Sequence, residues 1–231
     1  SRAENLALLG QRVVETGAAL GVAYDGDGDR AGFVDDRGRP LGSDAAFVLF
    51  IREELRHAAG GAVIYDIKCS DIVPREVSAL GGKPIMEKTG HAFIKRSFIL
   101  HDALLAGELT GHFAFREWGT DDGIYASLLM ARLVQTMDTP LSAVVDAIPR
   151  YHITHDIRIH MSDSDMTEVL ALLRERLAEF GEVITLDGVR VQFADGWGLA
   201  RPSITAPELT LRFEGYTPEG LRRAVQHFMA A

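Results

Sequence analysis

Cysteine is nearly absent: Cys69 is the single one in 231 residues, so no disulfide framework forms within the chain and a reducing compartment is expected. No apolar run approaches the roughly 20 residues a membrane span needs, and no signal peptide opens the sequence. A cytoplasmic protein with no membrane partner is the resulting expectation. Lysine is scarce as well. The four present, Lys68, Lys83, Lys88 and Lys95, all fall in one window of a chain whose net charge is −9. That balance argues against general nucleic-acid binding, while a local cationic patch on an acidic protein suits a small anionic ligand. Internal repeats and low-complexity segments are missing, and so is an initiating Met: the sequence opens inside what reads as a helix over 5–16. A chain cut from something longer is expected. What remains is ordinary globular material, 47% hydrophobic and 25% charged, long enough for one large domain or two small ones with real cores.

Three segments follow from the patterning. Residues 1–38 read as a helix, a strand (20–24), a polar loop and a second strand (30–35), too little for a domain and therefore the C-terminal remnant of an α/β domain. Residues 39–150 alternate apolar strands (62–66, 84–87, 103–107) with helices of about ten residues or more, including one capped by Ser43. That alternation predicts a three-layer α/β/α domain with a mixed, mostly parallel sheet. Residues 151–231 predict an α+β domain with an antiparallel sheet. Its parts are a half-buried strand over 152–160, a helix over 165–180 with a capping box completed by Glu168, and hairpins around Asp187-Gly188. Two further strands and a last helix capped by Thr217-Pro218 complete it.

The densest chemistry is Asp25-Gly26-Asp27-Gly28-Asp29-Arg30, directly after the apolar run 20–24. Three carboxylates at alternate positions, separated by glycines, can turn their oxygens toward one point, and oxygen-only ligands suit a hard cation. Mg²⁺ held by Asp25, Asp27 and Asp29 is the expectation. An EF-hand would need Gly at the sixth position and Glu at the twelfth, where Arg30 and Asp36 stand. An ordinary turn would have no use for three mutually repelling carboxylates. A Ca²⁺-binding module remains an open alternative.

In a parallel sheet, ligands sit beyond the carboxyl ends of the strands, and three polar clusters fall there. Lys68, in Lys68-Cys69-Ser70, can aim an ammonium at a phosphate or sugar oxygen. In Lys88-Thr89-Gly90-His91 the glycine allows close backbone approach, the following helix start can receive an anion, and His91 titrates near neutrality. Glu108-Leu109-Thr110-Gly111-His112 combines a carboxylate, able to accept two neighbouring sugar hydroxyls, with the hydroxyl of Thr110. The carboxylates of Asp121-Asp122-Gly123 read as helix capping and loop structure. Further on, Arg201-Pro202-Ser203-Ile204-Thr205-Ala206-Pro207 offers a guanidinium and the hydroxyls of Ser203 and Thr205 for a phosphate.

These motifs, in this order and spacing over nearly the whole chain, resemble the α-D-phosphohexomutases. The context from Asp187 to Phe213 is nearest to the bacterial phosphomannomutase/phosphoglucomutase branch, with a phosphoglucosamine mutase as an alternative. Asp25 to Arg30 resembles the family's metal loop. Glu108 to His112 resembles its sugar-recognition loop, and Arg201 to Pro207 its phosphate loop. The last departs from the pattern: Ile204 and Ala206 stand where polar or small residues are usual, and Ile204 neither donates a side-chain hydrogen bond nor tolerates positive φ. The resemblance implies reversible transfer of phosphate between the 1- and 6-positions of mannose or glucose phosphates through a hexose 1,6-bisphosphate. Mg²⁺ would sit in the Asp loop, Arg30 would support the carboxylates or the phosphate, and Lys68 and His91 would touch substrate and move protons. Thr89 and Gly90 would line the site, Glu108 and Thr110 would orient the sugar, and Arg201, Ser203 and Thr205 would hold the non-reacting phosphate. A monomer is implied for the full-length protein. The family's phosphorylated serine lies in a Ser-His-Asn loop, and none of the ten serines here is followed by His-Asn. These residues alone are therefore expected to be inactive. A non-catalytic phosphosugar-binding protein is the competing reading.

Overall fold

The computed structural model describes residues 3–203 and 206–231, which form two compact units, 1–149 and 150–231. In the first, a 3-10 turn (Ala3–Leu6) leads into α1 (Ala7–Thr16), then β1 (Leu20–Tyr24) and β2 (Ala31–Asp35). The two strands pair antiparallel with Tyr24 opposite Ala31, so the Asp-rich loop is the connection of a hairpin. Next come α2 (Ser43–His57), β3 (Ala62–Asp66), α3 (Ile72–Ala79), β4 (Lys83–Glu87), α4 (His91–Leu100), β5 (Leu105–Gly107), β6 (Phe113–Phe115), α5 (Gly123–Thr136) and α6 (Leu141–Asp146).

The four-stranded sheet has the order β4-β3-β5-β6, parallel except for β6. Strand alternation sorts its two faces. Ile64, Ala106 and Ala114 point to one side, where Ile94 and Phe98 of α4 cover them. Phe113 and Phe115 point to the other, where Phe113 meets Phe50 and Phe47 of α2 at ring-centroid distances of 5.1 and 5.9 Å. Phe33 of β2 joins that cluster, edge-on to Phe50 at 6.0 Å, which fastens the hairpin to the layer below. The expected three-layer arrangement is present, with three corrections. Ser43 is the first helical residue rather than the cap, Gly42 holding that place without a side-chain bond. Strand β5 starts two residues late because the amide of Ala103 is spent closing α4 on Phe98 O. Strand β6 and helix α6 were not expected.

The second unit comprises β7 (His152–Ile153), β8 (Ile157–His160), α7 (Asp163–Arg176), β9 (Glu182–Ile184), β10 (Val189–Phe193), β11 (Gly196–Pro202), β12 (Glu208–Gly215) and α8 (Pro218–Ala230). All pairings are antiparallel, in the order β7-β12-β11-β10-β9, with β8 also on β12. The single strand expected over 152–160 is broken. Ile153 faces Glu214 and Ile157 faces Leu211, so four steps on one side oppose three on the other, a bulge with one extra residue. Thr154 fills the gap, its Oγ1 accepting from the amide of Phe213 at 3.0 Å. Helices α7 and α8 cover the apolar side, packing Leu173, Leu177 and Phe228 on Val191, Ala200 and Phe213. The cap of α7 is Ser162, accepting from Asp165 N at 3.2 Å; the Asp165–Glu168 box was placed three residues too far along. Thr217 caps α8 as expected. On the opposite side of the sheet lies a buried polar row: the Arg190 guanidinium sits 4.2 Å over Trp197, whose Nε1 donates to Glu214 Oε1 at 2.9 Å. Among the described residues no helix is long and apolar enough to cross a membrane.

Candidate active site

The Asp-rich loop is held from below by backbone. Gly123, at the start of α5, donates its amide to Gly28 O at 3.0 Å, and Ala31 N donates to Gly111 O at 3.3 Å. Arg30 and His112 add an isolated antiparallel bridge. These links join the Asp loop to the segment 108–112 beyond β5. Position 123 must be glycine for this: a Cβ there would stand 2.7 Å from the carbonyl oxygens of Gly28 and Arg30.

Asp25, Asp27 and Asp29 each offer an oxygen to a common point, the three lying within 4.8 Å of one another. Their crowding has electrostatic consequences. Burial, and the charges of Asp27, Asp25 and Asp121, hold the Asp29 carboxyl above its usual range, although His112 draws it down. For Asp25 burial acts upward too, but Arg30 outweighs it by donating Nε to Oδ2 at 2.5 Å and its backbone amide to Oδ1. Oδ1 of Asp29 is buried and has no hydrogen-bond partner, Arg30 Nε being 3.7 Å away. A buried carboxylate oxygen left this way is costly unless a cation completes it, so the three residues fit a hard divalent ion.

Asp66, at the end of β3 and fully buried, organises the neighbouring clusters. Its Oδ1 accepts from the amide of Lys68 at 3.0 Å and from the hydroxyl of Thr89 at 2.7 Å. Thr89 is thereby turned onto the protein. Gly90 is the N-cap of α4 at φ +130°, a conformation that suits glycine, and His91 is the first residue of that helix. Lys88 is folded away, its Nζ 3.7 Å above the Phe93 ring.

Glu108 is 5% exposed. Burial, then the charges of Asp66 and Asp121, push its carboxyl up to about 7, against the opposing pull of the buried Lys68. Thr110 Oγ1 is buried without a hydrogen-bond partner. A cleft of about 10 Å³, room for roughly one water, is lined by His91, Glu108, His112 and Asp121 among others.

Two residues that the sequence analysis named without a role in the site emerge here. Asp121 is not a cap; Asp122 does that work, accepting from Tyr125 N at 2.9 Å. Asp121 Oδ2 instead accepts from Nδ1 of both His91 and His112, at 3.0 and 2.9 Å, and Thr120 donates its hydroxyl to Oδ1 at 3.0 Å. Burial alone would raise the Asp121 carboxyl; the Thr120 bond and the two imidazoles keep it below its ordinary value. His112 Nδ1 is also 3.7 Å from Asp29 Oδ2. A His two residues beyond Thr110 and an acid just before a helix start were the available signals, but only the fold brings them together.

In the second unit, Arg201 belongs to β11 rather than to a loop. Its Nε donates to Asp187 Oδ2 at 2.8 Å, and its Nη2 is buried with no hydrogen-bond partner. Ser203 donates its amide to Glu208 O at 2.8 Å. Thr205 and Ile204 lie outside the described residues.

Residues 42–151 match the family profile described as phosphoglucomutase/phosphomannomutase, alpha/beta/alpha domain III, and residues 157–231 match the C-terminal domain of the same family. The chain belongs to the phosphoglucomutase/phosphomannomutase family. It is 40% identical over 223 residues to a Pseudomonas aeruginosa phosphomannomutase/phosphoglucomutase, covering 95% of this chain and 48% of that protein. It is 39% identical over 236 residues to a Neisseria gonorrhoeae phosphoglucomutase, covering 100% of this chain and 51% of that one. A crystal structure of a phosphoglucomutase/phosphomannomutase family protein from Burkholderia thailandensis superposes with a TM-score of 0.90 at 35% identity, covering 99% of this chain and 49% of the other. The chain thus spans about half the length of the relatives it matches.

Proposed function

We propose that this chain carries the metal, sugar-recognition and distal phosphate-binding parts of a phosphohexomutase. The reaction moves phosphate between the 1- and 6-positions of glucose or mannose through a hexose bisphosphate. The observation that carries this reading is the convergence of the Asp25–Asp29 loop, buried Glu108 and the Asp121-linked histidines on one end of one sheet. Bound Mg²⁺ at Asp25, Asp27 and Asp29 would offset negative charge on a transferring phosphoryl group.

The chain's own residues do the rest. Glu108, in its ionised form, accepts from two adjacent sugar hydroxyls, and a sugar lacking that pair leaves a buried acceptor unsatisfied. With Nδ1–H committed to Asp121, each imidazole keeps Nε2 as the atom that takes or returns the proton of a sugar hydroxyl. His112, the less exposed of the two histidines, is the stronger candidate for that transfer, with His91 beside it. Lys68 and Arg30 balance carboxylate and phosphate charge. Arg201, with Ser203 and Thr205, grips the phosphate that does not react.

The test is conversion of mannose 1-phosphate to mannose 6-phosphate with Mg²⁺ and a hexose bisphosphate activator. These 231 residues alone are expected to be silent, since no Ser-His-Asn loop is among them, and activity should return on adding a segment that carries that loop. Turnover without it would overturn the assignment of roles.

A further inference from the structure

The pair of imidazoles on Asp121 forms a donor set of a different kind from the Asp loop beside it. One ligand atom each from His91, His112 and Asp121 lies within 4.8 Å of the others, and both Nδ1 atoms are already about 3 Å from the same carboxylate oxygen. Donors about 2.0–2.1 Å from a tetrahedral zinc ion are roughly 3.3 Å apart; the two Nδ1–Oδ2 separations, 3.0 and 2.9 Å, are within a few tenths of an ångström of that, and the imidazole nitrogens belong to the same 4.8 Å cluster. Two nitrogens and one carboxylate oxygen, with an open fourth position, make a ligand set for borderline ions such as Zn²⁺, Co²⁺ or Ni²⁺, whereas Mg²⁺ keeps to oxygen. We propose that His91, His112 and Asp121 form a second metal site, selective for divalent transition ions and separate from the Mg²⁺ site.

Three features of the surroundings support it. Thr120 holds the far oxygen of Asp121, the outer-shell bond that orients a ligating carboxylate. Negative charge is in excess nearby: Asp121 acts on Asp29, which has Asp25 and Asp27 beside it, and on Glu108, which has Asp66 beside it, while Lys68 compensates in part and Arg30 pairs with Asp25. His91 is half-exposed, which gives an ion a way in. Ligation through both Nδ1 atoms requires that each imidazole carry its proton on Nε2. An ion there would also remove both histidines from proton transfer. That inhibitory consequence, unlike the binding, rests on the function proposed above.

Binding is tested without any turnover assay. Metal-stripped, tag-free protein is kept in excess Mg²⁺ and titrated with Co²⁺, read by its visible absorption, and then with Zn²⁺ as the displacing ion. One equivalent of Co²⁺ should bind and be displaced by Zn²⁺ with Mg²⁺ present. His91→Asn, at a half-exposed position that does not threaten folding, and His112→Asn should each weaken binding at least tenfold. Thr120→Val should weaken it about tenfold, and Asp27→Asn should leave it unchanged. The proposal fails if no equivalent binds in the presence of Mg²⁺. It fails equally if the His91→Asn protein, shown folded by circular dichroism, binds as wild type, or if Asp27→Asn abolishes binding.

Discussion

Glu108→Gln separates what the buried carboxylate costs from what it does. The side chain keeps its shape and loses its charge. In the folded protein, burial and the neighbouring carboxylates place the Glu108 carboxyl at about 7, against an ordinary 4.5. The folded state therefore holds the proton more tightly than the unfolded chain, and stability from this group falls as pH rises between the two values. Each unit of displacement corresponds to about 1.4 kcal/mol, so the ionised carboxylate should destabilise the first unit by roughly 3 kcal/mol above pH 7. At pH 5, where the folded group is still protonated, the figure is about 1 kcal/mol on the same linkage. Glutamine carries no such cost at either pH. Glu108→Gln is expected to be more stable than wild type at pH 8, by about 3 kcal/mol or some 6–12 °C in the transition of that unit, with a much smaller gain at pH 5. Urea and thermal unfolding at the two pH values, read from a probe in residues 1–149, measure it. A pH-independent difference, or a loss of stability at pH 8, would refute the electrostatic reasoning. A stabilised variant that no longer binds hexose phosphate would show that the strain is kept for recognition.

Gly123→Ala should leave the fold intact and weaken Mg²⁺ binding about tenfold, an effect of the size seen when support around a metal site is disturbed. The new Cβ meets Gly28 O and Arg30 O at 2.7 Å and pushes on the Asp loop; a Mg²⁺ titration with wild-type affinity would contradict this. Asp187→Ala strips the partner from a guanidinium that is only 7% exposed and should destabilise the second unit by about 3 kcal/mol. Because the cost is that of an unpaired buried charge, the double variant Asp187→Leu/Arg201→Met should recover most of it in the same urea unfolding experiment.

Where chemistry is written in contiguous residues, the sequence could be read. Asp25, Asp27 and Asp29 are each other's neighbours in chain and in space, and strands 20–24 and 62–66 end where their apolar runs end. What depends on partners far along the chain could not be read. Asp121 looks like any acid before a helix start until β5, β6 and the start of α4 bring His112 and His91 onto its Oδ2. Asp66 looks like the polar residue that ends a strand, and only the fold shows it fixing the loops of Lys68 and Thr89. Strand β6 is three residues long and α6 six, too short for periodicity to register against the loops around them. The break at 154–156 is invisible for another reason. A single-residue bulge preserves alternation on either side of it, and the substitute bond from Phe213 N to Thr154 Oγ1 is a tertiary fact.

Concentrating six carboxylates at one end of a sheet creates a repulsion that five of them meet in different ways. Asp25 is paired with Arg30, Asp121 accepts from two imidazoles and a hydroxyl, and Asp66 accepts from the amide and hydroxyl of the loops it organises. Glu108 responds by holding its proton to near neutrality. Asp29 keeps its Oδ1 buried without a hydrogen bond, as Asp66 does its Oδ2, and burial, with the charges of Asp27 and Asp25, raises the Asp29 carboxyl. In the Asp loop a cation would meet three carboxylates at once, that of Asp29 among them. Cation binding there would lower the carboxyls of the loop and, through the same field, ease the ionisation of Glu108. The metal and the sugar would then be coupled without touching: a cation in the Asp loop would favour the charged form of Glu108, the form proposed to accept sugar hydroxyls.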